Sequence, residues 1–166
     1  MVTVKKATSN DLNEVMRVIE QARAIMRANG NLTQWINGYP ASELILNDIE
    51  NENGYVILNN NVIEGYFALI IGTDPEPTYK AIESGNWLNK EPYGVIHRLA
   101  STGKIKGIAK ACFDYAFTLI NNIKVDTHSN NLPMKHFFQK YGFTYCGTIY
   151  VADGSPRDAF QMVVID

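Results

Sequence analysis

The sequence predicts a mixed α/β domain with one sheet between helices. Three observations carry that expectation. Segments of period-two alternation and segments of helical spacing follow one another in the order βααββ, βαβα, ββ. Residues 93–117, YGVIHRLASTGKIKGIAKACFDYAF, read as strand, tight turn and long helix. The strand at 123–128 then returns after a long crossover, so its pairing with 95–101 is parallel and right-handed.

Residues 2–7 alternate and read as the first strand. Thr8-Ser9-Asn10-Asp11 is an N-cap cluster, with Asp11 and Glu14 favourable in the first turn of a helix that runs to about Ala28. Leu12, Val15, Met16, Ile19, Ala22 and Met26 share its inner face, and Gly30 stops it. Residues 31–41, NLTQWINGYPA, are polar with two aromatics. Trp35 and Tyr39 are there either as a cover for a ligand pocket or as a packing plug, and both readings stay open. Ser42 caps a second helix to about Asn53 that buries Leu44, Ile45 and Ile49. Strands at 54–58 and 62–72 are joined at Asn59-Asn60-Asn61, residues that tolerate left-handed turns. Residues 73–92 form a long connection with Pro75, Pro77, Pro92 and Trp87, one helical turn around 79–83, and the length of a functional lid.

In the strand of the central unit Tyr93, Val95, His97 and Leu99 face one way and Ile96, Arg98 and Ala100 the other. Ser101-Thr102-Gly103 is turn chemistry, and a stripe from Ile105 through Ile108, Cys112 and Ala116 to Ile120 marks the helix. After the strand at 123–128, Asn130-Asn131-Leu132-Pro133 opens another helix, with Met134, Phe137, Phe138 and Tyr141 inward and Gly142 at its end. Residues 143–151 and 159–165 are the last strands, joined by the turn Asp153-Gly154-Ser155-Pro156.

Composition narrows the function classes. A chain of 166 residues, 46% apolar and 19% charged, is one globular domain with a sizeable core. A net charge of −2 argues against nucleic acid or an anionic membrane as the main partner. Cys112 and Cys146 follow no disulfide pattern, and no apolar run reaches membrane-spanning length, so the chain reads as a soluble cytoplasmic protein.

Against that mildly acidic background, Lys104, Lys106 and Lys110 crowd the start of the helix after the turn. A helix N-terminus already carries positive charge, so each cation there is unfavourable by roughly 0.3–1 kcal/mol. The cluster makes sense if an anion binds to the free backbone N–H groups, with Gly107 and Ala109 leaving room for it. A solvated basic helix start is the alternative.

Lys104-Ile105-Lys106-Gly107-Ile108-Ala109 resembles the Q/R-x-x-G-x-G/A signature of the GNAT superfamily, the acyl-CoA-dependent N-acetyltransferases, with Lys in the first slot and Ala in the last. NLPMKHFFQKYGF, from Asn131 to Gly142-Phe143, resembles the family's second block, N-x-x-A-x-x-L-Y-x-x-x-G-F. The two blocks stand in the family's order, and with the element order they cover nearly the whole chain.

The resemblance implies a single mixed, mainly antiparallel sheet of about seven strands with helices on both faces. It implies acetyl-CoA as acyl donor, no metal, a small-molecule amine as acceptor, and direct attack of the amine on the thioester. It also implies roles. Backbone N–H groups of Lys104, Ile105, Lys106, Gly107, Ile108 and Ala109 hold the pyrophosphate. Main-chain groups of Leu99, Ala100 and Ser101 pair with pantetheine and place the thioester carbonyl, and Asn131 steadies the cofactor arm. Many members carry a tyrosine that protonates the leaving thiolate; here that slot is Phe138, expected to pack against the cofactor, and Tyr141 one turn away is the rival acid. His97 is the first candidate base, Asp126 and His128 the second, with Glu64 and Glu91 unranked. Trp35, Tyr39 and Trp87 are candidates to line the acceptor site. A protein or peptide acceptor and a non-catalytic acyl-CoA-binding module are the alternatives, and a homodimer stays open.

Overall fold

Burying these alternating segments gives seven strands in one sheet, in the order β1-β2-β3-β4-β5-β7-β6. The structure is a computed structural model and describes residues 1–165. The strands are β1 (Val2–Lys6), β2 (Gly54–Asn59), β3 (Val62–Gly72), β4 (Tyr93–Ser101), β5 (Asn122–Thr127), β6 (Thr144–Tyr150) and β7 (Pro156–Val163). The helices are α1 (Leu12–Ala28), α2 (Ser42–Glu50), α3 (Ile108–Leu119) and α4 (Leu132–Tyr141). β1/β2, β2/β3, β5/β7 and β6/β7 are antiparallel, and β4/β5 is parallel through Gly94↔Ile123 and Val95↔Lys124, as the crossover requires.

The chain divides into two compact units. Residues 1–69 and 97–115 make the first. Its core joins Val15, Val18 and Ile19 of α1 and Ile45 of α2 to Val56 and Tyr66 of the sheet. Thr8 and Asp11 close a capping box ahead of α1, across a 3-10 turn at Ser9–Asp11. Tyr55 and Phe67, paired across β2 and β3, stack at 5.1 Å. β3 carries one extra residue there: Ile57 pairs with Gly65 and Leu58 with Ile63, so Glu64 is bulged out. A Cβ on Gly65 would stand 2.6 Å from Ile108 Cγ2 and 3.2 Å from the Ala100 carbonyl oxygen, so only glycine lets the first residue of α3 seat here.

The second unit holds residues 70–96 and the chain from 116 onward. Tyr79, Tyr93, Val95, Ile149 and Ala159 form one of its buried clusters. A second cluster is aromatic: Phe138 of α4 lies 5.3 Å from Phe143 and 5.0 Å from Phe160, ring centre to ring centre. Lys135 pairs with Asp158 at 2.8 Å, fixing the start of α4 to β7.

Several boundaries differ from expectation; β7, expected at 159–165, runs Pro156–Val163. α3 starts at Ile108, so Lys104 and Lys106 lie in the preceding loop and only Lys110 is in the first turn. The cause is backbone: Gly103 and Gly107 sit at φ of 76° and 87°, left-handed conformations that a helix cannot include. Ser42 is the first residue of α2 and Ala41 its N-cap, with no side-chain capping bond. The helical turn of the connection falls at Pro77–Tyr79, where Glu76 accepts from the Thr78 N–H and proline sits at the start.

Candidate active site

In the first unit β4 runs into the loop 102–107 and then α3. The loop is held by short local bonds. Thr102 N–H donates to the Glu64 carbonyl at 3.1 Å, Ser101 Oγ accepts from Gly103 N–H at 3.0 Å, and Thr102 Oγ1 accepts from Lys104 N–H at 3.3 Å. The bulged, buried Glu64 carboxylate lies 3.4 Å from Thr102 Oγ1. Nothing stands within 4 Å of a Cβ position on Gly107. Lys110 is paired with Asp114 at 2.6 Å, whereas Lys104 and Lys106 are exposed and have no carboxylate partner among the described residues. An open backbone turn with two uncommitted ammonium groups ahead of a helix start fits a phosphate-bearing ligand.

The middle of β4 holds a feature that alternation did not reveal. Arg98 is left-handed, with φ 56°, inside a strand. Its Nε and Nη2 donate to the two carboxylate oxygens of Asp48 at 2.9 and 2.6 Å, and Tyr66 O–H donates to Asp48 Oδ2 at 2.9 Å. The side chains of Arg98 and Asp48 are 10% and 4% exposed. Burial pulls the guanidinium pKa down, but the hydrogen bonds and charge of Asp48 outweigh it, so the net direction is up. Burial and Asp48 push the Tyr66 hydroxyl upward, so it stays a donor.

Arg98 Nη1 also reaches the Tyr39 hydroxyl, at 3.4 Å, in the loop between α1 and α2. That loop is folded on two guanidinium groups of α1. Arg23 donates to the carbonyls of Gly38, Tyr39 and Pro40, and Arg27 to those of Asn31, Gln34 and Trp35, at 2.9–3.4 Å. Trp35 is 9% exposed and belongs to the core of the first unit. Tyr39 is 44% exposed.

In the second unit the connection 73–92 is stitched to the sheet. Glu83 and Thr148 exchange two backbone bonds of 2.8 Å. Gln161 of β7 donates to Asn122 at 2.8 Å and accepts from Leu88 N–H at 2.7 Å, and Asn122 donates to Asn89 at 3.0 Å. Trp87 Nε1–H donates to the Tyr79 carbonyl at 2.7 Å, and its ring faces the Lys124 ammonium at 4.5 Å. The Tyr93 ring covers the same ammonium at 4.1 Å. Burial lowers the Lys124 pKa, while Asp74 and Cys146 oppose it. Tyr79, fully buried, donates to Asp126 at 2.5 Å; burial first and then the Asp126 charge hold its hydroxyl in the protonated form. Burial, with Arg157 adding to it, lowers the pKa of His128.

α4 starts as its motif requires: Asn131 caps it, its side-chain oxygen accepting from Met134 N–H at 3.3 Å, with Pro133 in the first turn. Phe138 is 3% exposed, so most of its ring packs within the aromatic cluster. The Tyr141 ring lies 6.1 Å from Phe117, 5.5 Å from Phe137 and 6.0 Å from Phe143. Among the described residues no group of three His, Cys, Asp or Glu side chains could hold a metal ion. No helix there is long and apolar enough to cross a membrane.

Leu99, Ala100 and Ser101 at the end of β4, the loop 102–107 and Ile108 and Ala109 at the start of α3 follow one another in the chain, with His97 just ahead of them on β4. Trp87 belongs to the second unit, and Trp35 and Tyr39 belong to the first. Sequence reasoning missed Asp48, Tyr66 and the left-handed turn at Arg98. Asp48 stands three positions from Ile45 on an otherwise apolar helix face, and Arg98 interrupts an apolar strand; two opposite charges placed inward were the available signal.

The sheet order, with its parallel step from β4 to β5, gives a fold that solved acetyltransferases share. A crystal structure of a GNAT-family acetyltransferase from Streptococcus agalactiae matches with a TM-score of 0.90 and 30% identity, over 99% of this chain and 96% of that one. The chain therefore belongs to the GNAT family of acetyltransferases. Two more distant matches share the fold. One is the PaiA N-acetyltransferase of Thermoplasma acidophilum in complex with coenzyme A, with TM-score 0.73, 16% identity and 99% of each chain covered. The other is the ribosomal-protein-S18-alanine N-acetyltransferase of Escherichia coli, with TM-score 0.66, 9% identity, and 100% and 96% covered. No protein-family model matches the chain, and no curated protein does.

Proposed function

We propose that this GNAT acetyltransferase moves an acetyl group from acetyl-CoA to a primary amine of a small molecule by direct attack. The observation that carries the donor is the loop 102–107, open above Gly107 and carrying Lys104 and Lys106, which have no carboxylate partner among the described residues. The N–H groups of Ile105, Lys106, Gly107, Ile108 and Ala109 would bind the pyrophosphate, that of Lys104 being turned to Thr102 Oγ1, and the two lysines would add charge. Main-chain groups of Leu99, Ala100 and Ser101 would align the pantetheine and the thioester carbonyl. A fixed N–H aimed at that oxygen is worth roughly 2.7–4 kcal/mol in a comparable transfer. Asn131 would act through the start of α4, and Phe138 through the packing beneath it.

In the reaction the amine nitrogen bonds to the acetyl carbon, the carbon–sulfur bond breaks, and CoA leaves as a thiolate that takes up a proton. An alkyl ammonium has a pKa of roughly 10.4, so a base must receive its proton at neutral pH. His97 is that base in this proposal, with Asp126 and His128 next in line, and Tyr141 is the acid if one is used. The thiol pKa is near the roughly 8.5 of cysteine, so the thiolate leaves without an obligatory acid. Support for a small acceptor comes from the loop 31–41: two arginines fix its backbone, and a loop of set shape presenting Tyr39 suits one compact ligand with an apolar or aromatic portion. Trp35 backs that loop, and Trp87 is the remaining aromatic candidate.

Thiol release from acetyl-CoA, measured with a panel of alkyl, aryl and amino-acid amines beside peptides with free N-termini, tests the proposal. Saturable release with a small amine is expected. Release with peptides alone would move the acceptor to a protein, and no release with either would leave a non-catalytic acyl-CoA binder.

A further inference from the structure

We infer that the buried cluster of Arg98, Asp48 and Tyr66 is a positioning device: it holds the left-handed turn in β4 and thereby sets the backbone of Leu99 and Ala100 for acetyl transfer. The inference rests on the acetyltransferase reading above. Its starting point is strain. A non-glycine residue at φ 56° within a strand persists only where its surroundings over-determine it. Here they do. The guanidinium grips both oxygens of Asp48, and Asp48 takes a third bond from Tyr66. A bidentate fork fixes orientation as well as distance, so α2 dictates where the side chain of residue 98 points and, with it, how the backbone turns.

Stability alone does not account for this arrangement. A buried ion pair loses much of its attraction to desolvation, and apolar side chains of the same volume often serve the fold as well or better. The pair is also attached at a telling place: the left-handed residue lies directly between His97 and Leu99. β3 gives way opposite the end of the same stretch, where the bulge at Glu64 receives Thr102 N–H and Gly65 admits the Ala100 carbonyl. The remaining guanidinium nitrogen touches Tyr39, so the loop 31–41 and the transfer strand share one anchor.

The test uses the full chain with Asp48→Asn, Arg98→Lys, Arg98→Ala and Arg98→Gly. Asp48→Asn keeps the shape of the side chain, and Arg98→Lys keeps the charge but not the fork. Circular dichroism confirms folding, and rates are referred to folded enzyme. The probes are acetyl-CoA with the fastest amine of the panel, and the backbone amide resonances of Leu99 and Ala100. Asp48→Asn and Arg98→Lys should shift both resonances and lower kcat by about 10–100-fold, more than they raise KM for acetyl-CoA, as a small misplacement of reacting groups does. Glycine adopts the left-handed conformation without strain, so Arg98→Gly should retain about tenfold more kcat than Arg98→Ala. A lower melting temperature with wild-type kcat and wild-type resonances in Asp48→Asn would reduce the cluster to a stability element. Equal kcat for the Gly and Ala variants would rule out the backbone route. A wild-type protein that neither binds acetyl-CoA nor releases thiol overturns the acetyltransferase reading and this inference with it, an outcome visible before any substitution is made.

Discussion

Asp48 concentrates the residue-scale chemistry of the first unit. A carboxylate on an apolar helix face is costly to bury unless it is paired and hydrogen-bonded, and here Arg98 supplies two donors and Tyr66 one. Tyr66 itself is fully buried, so its ring serves the core while its hydroxyl serves the carboxylate. Tyr66→Phe separates these two contributions. The ring volume stays, the pocket stays dry, and one hydrogen bond to a charged group is lost, which costs roughly 1.5–3 kcal/mol. For a chain of this size that lowers the melting temperature by about 3–10 °C. The measurement is a thermal unfolding curve by circular dichroism. A change under about 1 °C would mean that Asp48 finds its third donor elsewhere.

At the scale of elements, the connection 73–92 shows how length and composition can mislead. Its prolines and its span suggest a lid. The structure instead ties it down at Glu83, Leu88, Asn89 and Trp87, with partners on β5, β6 and β7 or within the segment itself. Gln161 and Asn122, the residues that receive it, lie in strands whose polar positions look like solvent-facing ones in sequence. The partners are more than 30 positions away, and periodicity within one segment carries no trace of them. The strands and helices themselves were legible, because alternation, helical spacing and caps act locally. The start of α3 was not, because an apolar stripe continues through Ile105 while the φ of Gly107 ends the helix. The cluster of lysines before α3 was legible as a cluster; the Arg98 cluster was not, since its three members come from three elements. Gly85 offers a test of the stitching. A Cβ there would fall 1.9 Å from the Cys146 carbonyl oxygen, a backbone atom that cannot swing aside. Gly85→Ala should cost about 2–4 kcal/mol, as strain and lost backbone bonds do in a packed site, and open the segment to limited proteolysis. If the variant digests no faster than the wild type, the connection is held by side chains alone.

For the whole molecule the deciding quantity is the contrast between a net charge of −2 and a local pair of lysines with no carboxylate partner among the described residues. Overall charge gives a polyanionic ligand no long-range attraction, so recognition of phosphate must come from groups within about a Debye length, roughly 10 Å at 0.1 M salt. Ligand binding to the folded chain alone stabilises it by mass action, about 2.7 kcal/mol at 100 times the dissociation constant. That corresponds to a rise of about 5–10 °C in melting temperature for a chain of this length. Acetyl-CoA and CoA should both produce it, less at 0.5 M than at 0.05 M salt. A pantetheine thioester, which has no nucleotide or phosphates, should show no such salt dependence. The double variant Lys104→Glu with Lys106→Glu places carboxylates where the wild type has ammonium groups, on an exposed loop where neither side chain packs against the core. Its own melting temperature should therefore lie within about 2 °C of the wild type, as for surface substitutions in general. Its shift with CoA should nearly vanish, while its dissociation constant for the pantetheine thioester changes by less than about threefold, because the lysines act on phosphate and not on the thioester. Equal loss for both ligands would show that the loop supports the cofactor through its shape rather than its charge, and an undiminished shift with CoA would place the phosphate site elsewhere on the molecule.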